Sequence, residues 1–319
     1  MTVEPVSAPA WYLTGPTAAG KTGLALELAE RLGAEIVSMD SMAVYRGLDI
    51  GTAKPTARDR ERVPHWLVDL IEPDEEFSVA QYVAAAERTA AYLRSRGREV
   101  LFVGGTPLYL KALLRGIFEG PPADWELRHH LLAECERKGN DWLYRKLTDV
   151  DPVAAQRLHP HDTRRLIRAL EVFEKTGRPI SSWQQQFERA RPAEECRVFV
   201  LDWPRDELYA RIDRRVEEMF GAGIIGEVSG LLSRGKRLGR TAHQALGYRE
   251  VLEHLAGERN LADTIGLVQT RTRQFAKRQL TWFRSLSECR WVPMSPESGP
   301  AAIAATVARL GAAAVQDTR

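Results

Sequence analysis

At 319 residues, with 44% hydrophobic and 28% charged residues, the chain has the composition of a soluble globular protein long enough for two domains, or for one large domain with an insertion. A net charge of +2 neither requires nor forbids a nucleic-acid partner, and three scattered cysteines without a C-x-x-C argue against a disulfide framework or a zinc site. No apolar run approaches the ~18–20 residues of a membrane span, and the N-terminus carries an acid and two prolines where a leader would be basic then apolar, so a cytoplasmic protein with no membrane partner is expected.

The first predicted element is a short apolar strand, Trp11-Tyr12-Leu13-Thr14, running straight into Gly15-Pro16-Thr17-Ala18-Ala19-Gly20-Lys21-Thr22. This is a complete G-x-x-x-x-G-K-(S/T) loop, in which glycines let the backbone turn its N–H groups into one concavity around phosphate oxygens. Lys21 adds a point charge for the outer phosphates, and the Thr22 hydroxyl can ligate magnesium. Leu24, Leu28 and Leu32 recur at helical spacing, which puts the positive end of a helix under the anion. A polyphosphate ligand follows, and by motif alone the loop would be ATP-binding.

A second strand is expected over Glu35–Ser38, ending just before Asp40, and a third over His65–Leu70. A helix runs from about Ser78, its N-cap, to Arg96. Val100–Val103 reads as a buried strand that ends in Gly104-Gly105-Thr106, and helical spacing resumes at Leu108, Leu110, Leu113 and Leu114. Strand–helix alternation with near-continuous apolar strands predicts an α/β fold, a P-loop parallel sheet with helices on both faces. Ligands of such sheets lie outside the strands' carboxyl ends, where the glycine loop, Asp40 and Gly104–Thr106 all fall.

Composition changes at Gly120-Pro121-Pro122. From 121 to 195 the patterns are helical and arginine-rich, which predicts an inserted helical domain in a core made of 1–120 and 196–319. Strand character returns at Val198–Leu201, a helix begins near Arg205, and helices continue to 286, with a last one over the alanine-rich 300–314.

Asp40, at a strand end beside a phosphate loop, can position magnesium or accept a proton; equally it can cap a turn. Gly104-Gly105-Thr106 allows close backbone approach and offers a hydroxyl, but that strand ends without the acid of a hydrolysing ATPase. Arg211 and Arg215, four apart, share a helix face and can clamp a diphosphate or pair with Glu207, Glu217 or Glu218. Asp49 lies in a glycine-flanked loop. Three segments are basic: 157–178, then 234–249 and 271–284 with no acid, the last interleaved with Trp282-Phe283. Each alone reads as a solvated face, but three in a nearly neutral chain favour a polyanion surface with aromatics for stacking on unpaired bases. The histidines at 129, 130, 159 and 161 lack the accompanying ligands of a metal site. Two rival functions compete at this point. A P-loop kinase acting on a nucleoside or small metabolite leaves the acid-free basic segments unexplained, and a nucleic-acid-binding ATPase lacks its acid.

Read together, GPTAAGKT (15–22), DSMAVYRGLDIGTAKP (40–55), VGGTPLYLKALL (103–114), DPVAAQRLHPHDTRRLIRALEV (151–172), LGYRE (246–250) and KRQLTWFR (277–284) resemble the tRNA dimethylallyltransferase (tRNA isopentenyltransferase) family over nearly the whole chain. The family loop usually reads GPTASGKT, so Ala19 departs from it. The resemblance implies transfer of a dimethylallyl group from dimethylallyl diphosphate to the exocyclic amine of the adenosine just 3′ of the anticodon, adenosine thirty-seven, with the loop holding diphosphate instead of ATP. By that resemblance Asp40 is the general base, Thr106 bonds near the amine, Thr17 and Thr22 contact donor or Mg2+, and Arg215, with Arg211, the diphosphate. Residues lining the tRNA would be Asp40, Ser41, Met42 and Ala43; Arg128, on the anticodon arm; Arg164, Arg165, Leu166, Ile167 and Arg168; Gln244, Gly247, Tyr248 and Arg249; and Lys277, Arg278, Gln279, Trp282 and Arg284. A monomer is expected.

Overall fold

The computed structural model describes residues 2–3, 10–118, 120–183, 190–235 and 238–316. In chain order the strands are β1 (Thr2–Val3), β2 (Trp11–Thr14), β3 (Ala34–Ser38), β4 (His65–Trp66), β5 (Glu99–Gly104), β6 (Ile117–Phe118), β7 (Val198–Asp202) and β8 (Cys289–Pro293). The helices are α1 (Lys21–Leu32), α2 (Ala57–Arg62), α3 (Val79–Ser95), α4 (Pro107–Arg115), α5 (Trp125–Lys138), α6 (Asn140–Val150), α7 (Pro152–Arg157), α8 (Thr163–Thr176), α9 (Arg205–Gly221), α10 (Ile224–Ser233), α11 (Tyr248–Leu255), α12 (Leu261–Arg284) and α13 (Pro300–Gln316). Two compact units result: Val6–Leu114 with Ala190–Arg319, and Met1–Pro5 with Arg115–Arg189. None of the described helices is long and apolar enough to cross a membrane.

The larger unit is built on a parallel six-stranded sheet of order β4-β3-β5-β2-β7-β8. Its central strands are apolar on both faces because both are covered. Trp11, Leu13, Ile36, Leu101, Phe199 and Val292 join one core with Leu24 and Leu28 of α1 and Val307 of α13. On alternate positions Tyr12 stacks on Phe102, and Tyr82 of α3, stacked on Tyr109 of α4, donates to the Ser38 carbonyl. Ser78 caps α3 in a reciprocal capping box with Gln81, as its position predicts.

Two strand expectations change. The third strand stops at Trp66 because Leu67 and Asp69 take positive φ (60° and 57°), turning Asp69 toward Lys54 and Arg60. Cys289–Pro293, in a stretch where no strand is expected, forms the sheet edge by pairing with β7.

The smaller unit is α5–α8 plus a two-stranded pairing of β1 with β6. Its boundary falls at Arg115–Arg189 where 121–195 is expected, because Ile117 and Phe118 are bonded to β1 before the Gly120-Pro121-Pro122 break. Buried Asp151 caps α7 through the Ala154 N–H (2.9 Å) and also accepts from the Ser181 N–H (3.0 Å). Leu131, Leu143, Leu147, Leu166 and Leu170 form the core.

Glu171 in α8 is fully buried, and it accepts from Arg128 at 2.8 and 2.7 Å, from Arg168 at 2.5 Å, and from the Asp124 N–H at 2.7 Å. Burial pushes its carboxyl pKa up, but the hydrogen bonds from Arg128 and Arg168 outweigh this and hold it below the usual glutamate value. The stabilisation is therefore complete above the unfolded pKa, about 4.3, and disappears as pH falls through the lower folded value. Glu171→Gln is expected to cost about 2–3 kcal/mol at pH 7, since two arginines lose their counter-charge, and to flatten the loss of stability below pH ~4. Denaturant unfolding at pH 7 and pH 3 checks this, and a variant as stable as wild type at pH 7 would contradict it.

Candidate active site

Three chain turns converge at the carboxyl ends of β3, β5, β2 and β7. The loop after β2 has Gly15, Ala18 and Gly20 at φ of 149°, 62° and 83°. Gly15 has Leu201 of β7 at 3.2 Å from where a Cβ would sit, so both its φ and the close approach require glycine. Ala18 holds left-handed backbone without that freedom, at a cost of order 1 kcal/mol. Side chains from beyond β7 stabilise it: Arg211 of α9 donates to the Ala18 carbonyl (2.9 Å), and Trp203 donates to the Ala19 carbonyl (3.0 Å). Arg211 also lies over the Trp203 ring at 4.2 Å. Ala19 is itself fully buried in the core.

Lys21 begins α1, and its Nζ donates to the carbonyls of Gly15 (3.1 Å) and Pro16 (2.8 Å). Burial and then the nearby Arg215 charge lower the Lys21 pKa to about 8, against an opposing pull from the Asp40 carboxylate. Arg215, one helical turn beyond Arg211, donates to Thr17 Oγ1 (3.0 Å), and burial lowers its pKa while Asp40 opposes that shift. The two arginines divide the work: Arg211 braces the loop backbone, whereas Arg215 joins Lys21 and Asp40 in one electrostatic cluster. Thr22 is exposed in the first turn of α1. A cleft of about 590 Å³ lies beside Arg215, walled also by Ile50, Ala53, Lys54 and Met219.

Asp40 and Thr106 are brought together by the contact between β3 and β5. The Met39 N–H donates to the Val103 carbonyl (2.7 Å), and the Thr106 N–H donates to the Met39 carbonyl (3.3 Å). A Cβ on Gly104 would lie 2.0 Å from that same Met39 oxygen, which is why the strand ends in glycine. Thr106 Oγ1 then accepts from the Ser41 N–H at 3.0 Å. Asp40 Oδ1 accepts from the Met42 N–H at 2.8 Å, so one oxygen does cap a turn. Its Oδ2 has no hydrogen-bond partner among the described residues. Asp49, by contrast, pairs with Lys54 at 2.7 Å.

The residues expected along RNA divide by exposure. Arg164, Arg165, Gln244, Arg249, Lys277, Arg278 and Arg284 are exposed, and Ser41, Met42, Arg168 and Trp282 are half-buried. Ala43, Leu166, Ile167, Gly247, Tyr248 and Gln279, named with them, are buried. Leu166 and Ile167 fill the smaller core, and the Tyr248 hydroxyl bonds to Glu227 (2.6 Å) while accepting from the Gly51 N–H (3.2 Å). Glu227 also accepts from the Asp49 and Ile50 N–H groups, so Tyr248 and Glu227 pin the 49–51 loop. The acid-free segments are acid-free only in sequence. Arg249 pairs with Glu253, Arg271 with Glu250, and Arg273 with Asp213, while in the mixed segment 157–178 Arg168 shares Glu171 with Arg128. Lys236 and Arg237 lie outside the described residues. Sequence reasoning did not find Trp203, Glu227 or the way Gln279 is used; all three bond to backbone, which leaves no motif.

A sequence model of the family described as IPP transferase matches residues 43–286. The chain belongs to this family. A protein of Geobacter metallireducens named tRNA dimethylallyltransferase is 48% identical over 278 residues, covering 87% of this chain and 90% of its own. A protein of the same name from Desulforudis audaxviator is 45% identical, covering 94% and 96%. Among solved structures, the full-length tRNA isopentenylpyrophosphate transferase of Bacillus halodurans aligns with a TM-score of 0.69 at 37% identity, over 97% of this chain and 99% of that one. A eukaryotic dimethylallyltransferase captured acting on tRNA aligns with a TM-score of 0.73 at 26% identity, over 90% and 74%. In this chain the glycine loop, Asp40 and Thr106 follow the carboxyl ends of three neighbouring parallel strands, β2, β3 and β5.

Proposed function

We propose that this IPP transferase moves a dimethylallyl group from dimethylallyl diphosphate to the exocyclic amine of the adenosine just 3′ of the anticodon in tRNA, releasing diphosphate. On this reading it acts as a monomer in the cytoplasm. The observation that carries the reading is the juxtaposition of an anion-binding loop with Asp40 and Thr106, beside a central strand that ends in glycine where a hydrolase would place an acid.

The donor reaches the loop through the cleft beside Arg215. As the allylic C–O bond breaks, negative charge grows on the leaving diphosphate, and the positive charges of Lys21 and Arg215, with the glycine loop, offset it. The adenine amine forms the new C–N bond at the allylic carbon, and its proton passes to Asp40 Oδ2 while the Met42 N–H holds Oδ1 in place. The Thr106 hydroxyl, fixed by Ser41, orients the amine. Magnesium, when bound, neutralises diphosphate charge. The residues fit it: Thr22 offers an accessible hydroxyl, and such an ion takes few protein ligands beside phosphate and water oxygens. Extruding the base from its stack costs a few kcal/mol, which exposed Lys277, Arg278, Arg284, Arg164 and Arg165 recover through phosphate contacts.

Incubation with labelled dimethylallyl diphosphate and unmodified tRNA, without ATP, is expected to move label onto the RNA. ATP-dependent phosphorylation of a nucleoside, with no label transferred, would overturn the reading in favour of a kinase.

A further inference from the structure

Gln279 is the one residue of the basic helix α12 whose side chain reaches the backbone of both catalytic loops among the described residues. It is buried, with 3% of its surface exposed, although its neighbours Lys277 and Arg278 point to solvent. Its Oε1 accepts from the Thr17 N–H at 2.9 Å, and its Nε2 donates to the Gly105 carbonyl at 2.5 Å. A primary amide is the side chain suited to this, because it offers one acceptor and one donor in a fixed plane. The fit is tight: a Cβ on Gly105 would lie 2.7 Å from Gln279 Nε2, 3.3 Å from the Gly15 carbonyl oxygen and 3.5 Å from Lys21 Nζ.

From Gln279 two chains of contacts run outward. Thr17 leads to Arg215 through its hydroxyl, and so to the diphosphate side. Gly105 leads to Thr106, whose hydroxyl holds the N–H of Ser41 next to Asp40, the acceptor side. With its N–H already bonded to Gln279, Thr17 presents its hydroxyl and not its amide to the crevice.

We propose that Gln279 is a positioning residue that sets the separation between the diphosphate loop and the Asp40–Thr106 pair, and that it does so without touching tRNA. The inference rests on the transferase reading above. In a displacement between two separately bound groups, the attacking amine and the allylic carbon must be held within contact distance, and misplacement by about 1 Å can cost about a hundredfold in rate.

The test uses the full chain and compares Gln279→Met, which keeps the volume but neither hydrogen bond, with Gln279→Glu, which keeps the acceptor for Thr17 and loses the donor to Gly105. Single-turnover transfer at saturating donor and tRNA, donor KM, tRNA Kd and Tm are measured for each. Gln279→Met is expected to lower the single-turnover rate by ten- to a hundredfold with tRNA Kd within about twofold of wild type. Gln279→Glu should keep a donor KM nearer wild type than the methionine variant does, while its rate still falls. A raised tRNA Kd with an unchanged rate at saturation would instead make Gln279 an RNA contact, and a lowered Tm with unchanged rate and KM would make it only structural. Either result overturns the proposal. Failure of the wild-type chain to transfer label at all would refute the transferase reading itself, a different outcome.

Discussion

Asp40→Ala is expected to lower single-turnover transfer by about 10²- to 10⁴-fold while tRNA Kd stays within about threefold. The adenine amine is a weak nucleophile, and removing its proton as the C–N bond forms requires an acceptor at the crevice. On the proposed reading that acceptor is Asp40, whose charge acts on Lys21 and whose Oδ1 is engaged by the Met42 N–H, while Oδ2 has no partner among the described residues. Asp40→Asn separates base from scaffold. Its amide oxygen still accepts from Met42, so the turn survives, but no proton can be taken up. The two variants should therefore be similarly slow. An asparagine variant at wild-type rate would show that Asp40 acts only as a turn cap.

Lys21→Met should slow transfer by about 10²- to 10³-fold and weaken donor binding about tenfold. On the proposed reading charge builds on the leaving diphosphate beside its ammonium and Arg215, and the low-dielectric surroundings that bring its pKa to about 8 also strengthen its attraction for an anion. The variant should unfold no more easily than wild type, because it removes a desolvated cation near another cation. Rapid-quench kinetics with a parallel denaturant titration check both halves. Undiminished transfer would mean that loop N–H groups alone stabilise the leaving group.

The glycine loop is legible in the sequence because its requirements are local. Glycine positions, lysine and hydroxyl sit in consecutive residues, and the strand and helix around them announce themselves by apolar periodicity. Asp40 and Gly104–Thr106 were legible one step further, since parallel strands must bring their carboxyl ends together. What was not legible depends on distant partners. The two acid-free segments look unpaired in the sequence because Glu253, Glu250 and Asp213 lie outside them in sequence but against them in the fold. Tyr248 and Gln279 sit in motifs that resemble RNA-contacting stretches, yet burial turns their polar atoms toward backbone. The edge strand β8 was missed because five residues containing an arginine show little strand pattern until β7 supplies a partner.

The central claim is that the glycine loop holds a leaving diphosphate while a nucleic acid is the acceptor. Its most direct measurement is the reaction of wild-type protein with unmodified tRNA, dimethylallyl diphosphate and magnesium, with no nucleotide present, followed by nuclease digestion of the RNA and assay of released diphosphate. One prenylated adenosine, next to the anticodon, is predicted for each diphosphate set free. Diphosphate release without prenylated adenosine, or RNA modification that appears only when ATP is added, would contradict it.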